Sequence, residues 1–352
     1  TGPNFDAVAV FTTNQVKAAP VLWSQQVLKD NKIKSVVLNS GGANACTGPA
    51  GFSDSHKTAE YAANILGLAP IDVAICSTGL IGLLLPMEKL LSGLDTAISE
   101  LSEKGGLSAA EAILTTDTHT KTTTIEKNGW KIGAMIKGAG MLAPDLATML
   151  CVLTSDADLS EFDLENMFHK CVNQTLNRVD SDGCTSTNDT VILMSSAASG
   201  IKPDKNEFES SLIQVLKELS KQLIEDAEGS TKVIEITVSN ALTEDEAVAV
   251  ARSVARNNLL KCALFGEDPN WGRILAAIGN AKVKLDPNKI YVEINKKVVC
   301  EKGTALTLTP EINLKSQNIQ IYINLNIGDC EATVLTNDLS TKYVIENSAY
   351  ST

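Results

Sequence analysis

Short apolar runs rich in β-branched residues alternate with helix-length amphipathic segments along the whole chain, and no long linker or low-complexity segment interrupts them. The spacing predicts buried strands at 6–11, 34–39 and 73–76 and a long amphipathic helix at 206–226. From 290 to 334 apolar and polar residues alternate, which indicates an antiparallel sheet with one packed face. The pattern therefore predicts a layered α/β protein in which helices cover stacked sheets.

Local signals fix two of these elements more closely. Asn128-Gly129 is typical of a tight hairpin turn and predicts a hairpin over 122–136. Thr243 followed by Glu246 has the spacing of a capping box, and it predicts the start of a helix that runs to about Leu260.

Composition argues against several classes of protein. The formal net charge is −12 and no Lys/Arg-rich run reverses it, which argues against a nucleic-acid partner. The longest apolar segments fall far short of the ~20 residues that a membrane helix needs. The eight cysteines include no C-x-x-C pair, which argues against a zinc ribbon or a redox dithiol. Free thiols and the lack of a signal peptide lead us to expect a protein of the reducing cytoplasm.

Cofactor and metal motifs are also missing. The chain has only three histidines, so Ser-His-Asp catalysis and histidine-based metal sites lack their parts. The glycine loop at 40–48 matches neither G-x-x-x-x-G-K-[ST] nor G-x-G-x-x-G. The polar loop at 180–190 lacks the ligand pattern and closing glutamate of a calcium loop. We therefore predict no cofactor and no metal, and any nucleophile should work without histidine.

One apolar stretch, residues 140–151, contains a candidate nucleophile. Ala147 directly precedes Thr148, whose hydroxyl reacts poorly unless a base lies beside it. Cleavage of the Ala147–Thr148 bond would free such a base, because the new α-amine titrates at about pH 7.7–8.0. The alternative is that Thr148 is an ordinary strand residue.

Other residues can complete a site around such a nucleophile. Thr78-Gly79 follows a predicted strand, so a hydroxyl and a backbone amide can be aimed at one oxyanion. Lys137 can stabilise an anion or hold a carboxylate, and Glu228 can hold an ammonium group or relay a proton. The alternatives are that Thr78-Gly79 is an ordinary tight turn and that Lys137 and Glu228 are solvated charged side chains. From the residues alone the hypothesis is an N-terminal-nucleophile amidase or acyltransferase.

Seven motifs follow one another in order along essentially the whole chain. They are Asn39–Cys46, Cys76–Gly82, Thr115–Asp117, Lys137–Leu150, Ser186–Thr190, Asp268–Arg273 and Asn347–Thr352. Together they resemble the bacterial ornithine acetyltransferases, which are the glutamate N-acetyltransferases of arginine biosynthesis.

The resemblance implies an architecture and a processing event. It implies an αββα-like sandwich of the ornithine acetyltransferase and DmpA-like type. It also implies self-cleavage between Ala147 and Thr148, giving an α-chain of residues 1–147 and a β-chain of residues 148–352. Two α- and two β-chains are expected to assemble.

The resemblance also implies roles for individual residues. Thr148 is the nucleophile, and Thr78 and Gly79 form the oxyanion hole. The residues implied to bind substrate are Thr115, Lys137, Thr148, Glu228, Asn347 and Thr352.

The reaction implied by the resemblance is acetyl transfer from N-acetylornithine to glutamate through an acetyl-Thr148 intermediate, with ping-pong kinetics. Additional use of acetyl-CoA stays open. An N-terminal-nucleophile aminopeptidase of related fold is the enzymatic alternative. A binding protein with an inert Thr148 is the non-enzymatic alternative.

Overall fold

The structure is a computed structural model that describes residues 2–143, 149–307 and 311–349. Within these ranges the chain forms two compact units. The first contains residues 2–177 and 184–223, and the second contains residues 178–183 and 224–349. The predicted mixed α/β class is confirmed, since both units combine sheets with helices.

The first unit is built on a five-stranded sheet and a two-stranded sheet. Its strands are β1 (Asp6–Phe11), β2 (Ser35–Asn39), β3 (Val73–Ser77), β4 (Lys121–Lys127), β5 (Trp130–Lys137), β6 (Leu150–Ser155) and β7 (Thr190–Ser195). The larger sheet has the order β1-β7-β6-β5-β4, in which only β6 and β7 run parallel. Strands β2 and β3 pair in parallel. The predicted strands at the start of the chain and the hairpin at Asn128-Gly129 are confirmed.

Helices cover these two sheets of the first unit. They are α1 (Ala19–Val27), α2 (Gly48–Leu66), α3 (Met87–Ser99), α4 (Gly106–Ala112), α5 (Leu164–Asn173) and α6 (Lys205–Glu225). Strands β6 and β7 are mostly apolar and lie in the interior of the sheet, and all but one residue of each strand is buried. Phe208 of α6 packs on Trp130 of β5 with 5.3 Å between ring centroids.

The second unit is built on one six-stranded sheet. Its strands are β8 (Val233–Ala241), β9 (Tyr291–Ile294), β10 (Lys297–Glu301), β11 (Thr304–Ala305), β12 (Asn318–Asn324) and β13 (Cys330–Asn337). Its helices are α7 (Glu244–Ala255), α8 (Asn258–Phe265), α9 (Trp271–Gly279) and α10 (Thr341–Ala349). Ile319, Ile321 and Ile323 are buried in the same core as α7, α8 and α9, as the alternating pattern predicted for one face.

Two expectations for the second unit need correction. The sheet is mixed, because β8 lies between β12 and β13 and runs parallel to β12. The predicted start at Thr243 is correct, since its side chain accepts a hydrogen bond from the Glu246 amide. The helix does not run to Leu260, however. It ends at Ala255, because Asn257 caps a new helix by accepting a hydrogen bond from the Leu260 amide.

The described residues contain neither a membrane-spanning helix nor a cluster of metal-binding side chains. None of the helices in these ranges is both long enough and apolar enough to cross a membrane. Among the same residues, no group of three or more His, Cys, Asp or Glu side chains is arranged to hold a metal ion.

Candidate active site

The turn after β3 is held tightly against the glycine loop that follows β2. Gly79 has φ = +130°, a conformation that favours glycine. A Cβ atom on Gly79 would lie 2.6 Å from the backbone of both Gly41 and Gly42. The neighbouring Thr78 is only 2% exposed, and its amide donates to the Asn39 carbonyl at 3.0 Å. Only glycine therefore fits position 79 without moving this turn.

Lys137 connects this turn to a second predicted site residue. It is the last residue of β5 and is 1% exposed. Its Nζ donates to Thr115 Oγ1 at 2.7 Å and to Thr78 Oγ1 at 3.3 Å. The structure therefore brings Thr78, Gly79, Thr115 and Lys137 together in the first unit.

Asp117 anchors this group, although the sequence analysis gave it no role. Its carboxylate is fully buried and accepts from Lys121 Nζ at 2.7 Å and from the Gly138 amide at 2.6 Å. It also lies 3.5 Å from Lys137 Nζ. The sequence feature that could have identified Asp117 is its position two residues after Thr115, within the motif Thr115–Asp117.

The buried charges shift each other's pKa. Burial raises the pKa of Asp117, but Lys137 and Lys121 together outweigh that effect and hold it below the ordinary value. Burial lowers the pKa of Lys137, and the nearby Asp117 charge offsets this only in part. Asp117 thus faces two lysines, and its charge supports the protonated form of Lys137.

The polar loop before β7 ties the parts of the site together. Asn188 Nδ2 donates to the Ala43 carbonyl at 2.6 Å and to the Ser77 carbonyl at 2.9 Å, which fixes both the glycine loop and the end of β3. The next residue, Asp189, accepts from the Met149 amide at 3.0 Å. This role could not be predicted from the sequence, because the spacing of polar residues does not show which of them are buried.

The second unit contains two more of the predicted residues. Glu228 is half-buried in the turn after α6, directly before Gly229. Gly229 lies against Tyr343 of α10, where a Cβ atom would come within 2.2 Å of the Tyr343 amide nitrogen. Asn347 is exposed on the same helix and donates to the Tyr343 carbonyl at 3.1 Å. The unit therefore places the Glu228 turn beside the helix that carries Asn347.

Three predicted site residues, Ala147, Thr148 and Thr352, lie outside the described residues. The described part of the first unit can nevertheless be read chemically. It combines the buried Lys137 ammonium group, two threonine hydroxyls that contact it and a tightly packed glycine turn beside Thr78. Such an arrangement can stabilise a negative charge that develops on a carbonyl oxygen.

The ArgJ family model matches residues 2–352. The chain belongs to the ArgJ family. It is 55% identical over 351 residues to the arginine biosynthesis bifunctional protein ArgJ of Streptomyces coelicolor, an alignment that covers 100% of this chain and 92% of that protein. It is 50% identical over 358 residues to the protein of the same name from Mycobacterium tuberculosis, covering 99% and 89% of the two chains.

A solved structure supports the same assignment. The crystal structure of the arginine biosynthesis bifunctional protein ArgJ from Bacillus halodurans matches with a TM-score of 0.53 and 30% identity. The match covers 56% of this chain and 98% of that one. As an ArgJ family member, the chain is an acyltransferase of arginine biosynthesis, and the predicted family is confirmed.

Proposed function

We propose that this ArgJ family member transfers the acetyl group of N-acetylornithine to glutamate, releasing ornithine and forming N-acetylglutamate. One amide is exchanged for another of similar free energy, so the transfer needs no nucleotide to drive it. The reaction does require that water be kept from the acetyl-enzyme, because hydrolysis of the ester would waste the acetyl group.

The active enzyme arises, in this proposal, by self-cleavage between Ala147 and Thr148. The Thr148 hydroxyl adds to the Ala147 carbonyl carbon, the C–N bond breaks, and the hydroxyl proton ends on the nitrogen. Water then hydrolyses the resulting ester, which frees the Ala147 carboxylate and restores the Thr148 hydroxyl. Residues 1–147 and 148–352 become separate chains, and Thr148 gains the α-amine that serves as its base.

Acetyl transfer repeats this chemistry on an external amide. The Thr148 oxygen adds to the acetyl carbonyl carbon of N-acetylornithine, its proton passes through the α-amine to the leaving nitrogen, and ornithine departs. The α-amine of glutamate then attacks the acetyl ester, and Thr148 recovers its proton. Thr78 and Gly79 stabilise the oxyanion in both steps.

Substrate binding uses a part that both substrates share. Ornithine and glutamate have oppositely charged side chains but the same α-carboxylate, so we assign the recognition of that common end to Thr115, Lys137, Glu228, Asn347 and Thr352. The buried ammonium group of Lys137 suits a carboxylate, and Glu228 suits an ammonium group.

The observation that carries the proposal is the contact of Lys137 Nζ with both Thr115 and Thr78, beside the tightly packed turn at Gly79. This contact joins a residue assigned to substrate binding with one assigned to the oxyanion hole. Family membership supplies the pathway in which the reaction is set.

The test is an acetyl-transfer assay with purified protein, N-acetylornithine and glutamate. We expect stoichiometric ornithine and N-acetylglutamate, with the parallel lines of ping-pong kinetics when both substrates are varied. Release of free acetate or of amino acids from peptides, with no N-acetylglutamate, would instead favour the aminopeptidase.

The word "bifunctional" in the relatives' name favours a second reaction. We propose acetyl-CoA as the additional donor, with the acetyl group again carried by Thr148 to glutamate. Incubation with glutamate and acetyl-CoA alone tests this, and N-acetylglutamate should accumulate at a rate that the Thr148→Ala variant abolishes.

We further infer a cytoplasmic assembly of two α- and two β-chains. Native mass spectrometry of the mature protein should then give one species that contains two copies of each chain.

A further inference from the structure

Asp189 is a fully buried carboxylate that none of the assigned roles uses. It lies directly before β7, and its Oδ1 accepts from the Met149 amide at 3.0 Å. Its backbone is fixed as well, because the Asp189 carbonyl accepts from the Thr12 amide at 3.0 Å. The side chain therefore projects from a rigid support.

Met149 is held at both of its backbone polar groups. Its amide donates to Asp189, and its carbonyl accepts from the Thr190 amide at 3.2 Å. The residue is itself 1% exposed, and β6 begins at the next position, paired in register with β7. The residue before β6 is thus held by Asp189 of the polar loop and by Thr190, the first residue of β7.

The covalent geometry makes this clamp relevant to catalysis. The Met149 nitrogen is bonded to the carbonyl carbon of Thr148 and is two bonds from the Thr148 Cα. The peptide bond between Thr148 and Met149 is planar. A hydrogen bond from the Met149 N–H to Asp189 is therefore expected to restrain the orientation of that peptide, to which the proposed nucleophile belongs. Reacting groups must be held to within a fraction of an ångström for full rate, so loss of the tether should slow the chemistry.

The second carboxyl oxygen distinguishes Asp189 from an ordinary structural acceptor. Asp189 Oδ2 is buried and has no hydrogen bond of normal geometry among the described residues, although Ser186 and Thr12 lie near the carboxyl group. Burial raises the pKa of Asp189 well above the ordinary value, and the hydrogen-bonding groups of Met149, Ser186 and Thr12 offset this only in part. A neutral carboxyl keeps Oδ1 as an acceptor while avoiding a buried unpaired charge.

We propose that Asp189 is a positioning residue that holds the Thr148–Met149 peptide for both self-cleavage and acetyl transfer. This inference rests on the proposed function of Thr148. It assigns the residue no contact with the substrate, and Asp189 acts on Thr148 through the Met149 amide.

Two substitutions separate this role from the others that a buried aspartate can have. Asp189→Asn keeps an acceptor in the same place without a negative charge, so self-cleavage should stay within about threefold of wild type. Asp189→Ala leaves the buried Met149 amide unpaired and the peptide untethered. We expect self-cleavage and kcat to fall by at least about tenfold in that variant, with little change in KM.

Ser195→Ala is the matched control for loss of stability. Ser195 lies at the other end of β7, is 3% exposed and donates to the Ala157 carbonyl, so its replacement also removes a buried hydrogen bond from this strand. All variants are compared at a temperature below the melting midpoint of the least stable one. Ser195→Ala should lower the melting temperature but leave cleavage and kcat within about twofold of wild type.

Intact mass spectrometry of the four proteins measures cleavage, and the acetyl-transfer assay measures kcat and KM. Equal cleavage rates and kcat values in Asp189→Ala and Ser195→Ala would overturn the positioning role while leaving the proposed function intact. A drop in Asp189→Asn as large as that in Asp189→Ala would overturn it as well. An uncut and inactive wild-type protein would overturn both the proposed function and this inference.

Discussion

Lys137 of the first unit and Lys261 of the second are both buried lysines whose pKa is lowered by burial, yet their surroundings differ. Lys261 Nζ donates to the Ser181 carbonyl at 2.7 Å, to Asn337 Oδ1 at 3.0 Å and to Thr336 Oγ1 at 3.1 Å. An ammonium group has three N–H donors, and here each of them has a protein acceptor at a normal hydrogen-bond distance.

Among the residues that the structure describes, Lys137 Nζ has one short contact, the 2.7 Å bond to Thr115 Oγ1. Its other partners, Thr78 Oγ1 at 3.3 Å and Asp117 Oδ2 at 3.5 Å, are long. Thr115 is exposed, whereas Thr336 and Asn337 are each 1% exposed. A substrate oxygen can therefore replace the weak contacts of Lys137, and its best partner can be reached from solvent.

The comparison teaches that burial and a lowered pKa do not by themselves mark a site. Both lysines have these properties, but among the described residues Lys137 has two long contacts and a partner that solvent can reach, whereas the three partners of Lys261 are close and buried. We therefore propose that Lys261 stabilises the second unit and that Lys137 takes part in substrate binding.

The largest expected contrast comes from replacing each lysine by methionine. Lys137→Met should lower kcat/KM for acetyl transfer by roughly 10²–10³-fold, because it removes the cation beside the oxyanion turn. Lys261→Met should leave kcat/KM within about threefold and lower the melting temperature instead. Steady-state kinetics and thermal unfolding of both variants check this, and equal losses of activity would break the distinction.

A glycine pair tests the turn that Lys137 supports. Gly79→Ala should cost about 100-fold in kcat, since the new Cβ would meet the Gly41 and Gly42 backbone at 2.6 Å and displace the turn. Gly93→Ala is the control, because it lies in α3 with no atom within 4 Å of the added methyl group. That change should stabilise the protein by about 0.5–1 kcal/mol and leave activity unchanged. Wild-type kcat in Gly79→Ala would argue against the oxyanion role.

The aspartates beside the two lysines should separate in the same way. Asp117→Asn removes the charge between Lys121 and Lys137, and we expect kcat to fall by about tenfold through misplacement of Lys137. Asp180→Asn removes the buried partner of Arg256 in the second unit, 2.7 Å away, and should leave kcat within about twofold. Kinetic assays below the unfolding transition check the pair, and an unchanged kcat in Asp117→Asn would contradict its anchoring role.

The remaining expected effect concerns stability rather than activity and depends on pH. Burial lowers the pKa of Lys261 to about 8 in the folded protein, against an ordinary value near 10.5. Between these values the unfolded chain binds a proton that the folded chain does not, so this group makes stability rise with pH over that range. Its contribution should amount to at most about 3 kcal/mol.

Urea unfolding of wild type and Lys261→Met from about pH 7 to 10 measures this effect. The free-energy difference between the two proteins should shift in favour of wild type above about pH 8. Parallel pH profiles would show that Lys261 does not titrate differently in the folded protein.

The elements that the sequence predicted well depend on neighbours in the chain. The hairpin at Asn128-Gly129 and the helix start at Thr243 require only contacts within a few residues. The insertion of β8 between β12 and β13 could not be predicted, because it depends on pairing between segments that are far apart in the chain. The break before Asn257 was missed because an asparagine cap competes with a continuing apolar pattern.

The candidate site shows the same limit. Motifs and family resemblance singled out Thr78, Gly79, Thr115 and Lys137, and the structure places these residues together. Asp117, Asn188 and Asp189 belong to motifs that were recognised, but their roles depend on burial and on partners distant in sequence. The sequence does not show whether a polar residue in a loop motif is exposed to solvent or is buried and hydrogen-bonded to the backbone of the site.

Intact mass spectrometry, before and after incubation with N-acetylornithine alone, tests the central claim most directly. We predict two chains corresponding to residues 1–147 and 148–352, with the mass of one acetyl group added to the second chain, at Thr148, after incubation. Glutamate should then remove that mass. A single uncut chain that gains no acetyl group would contradict the account.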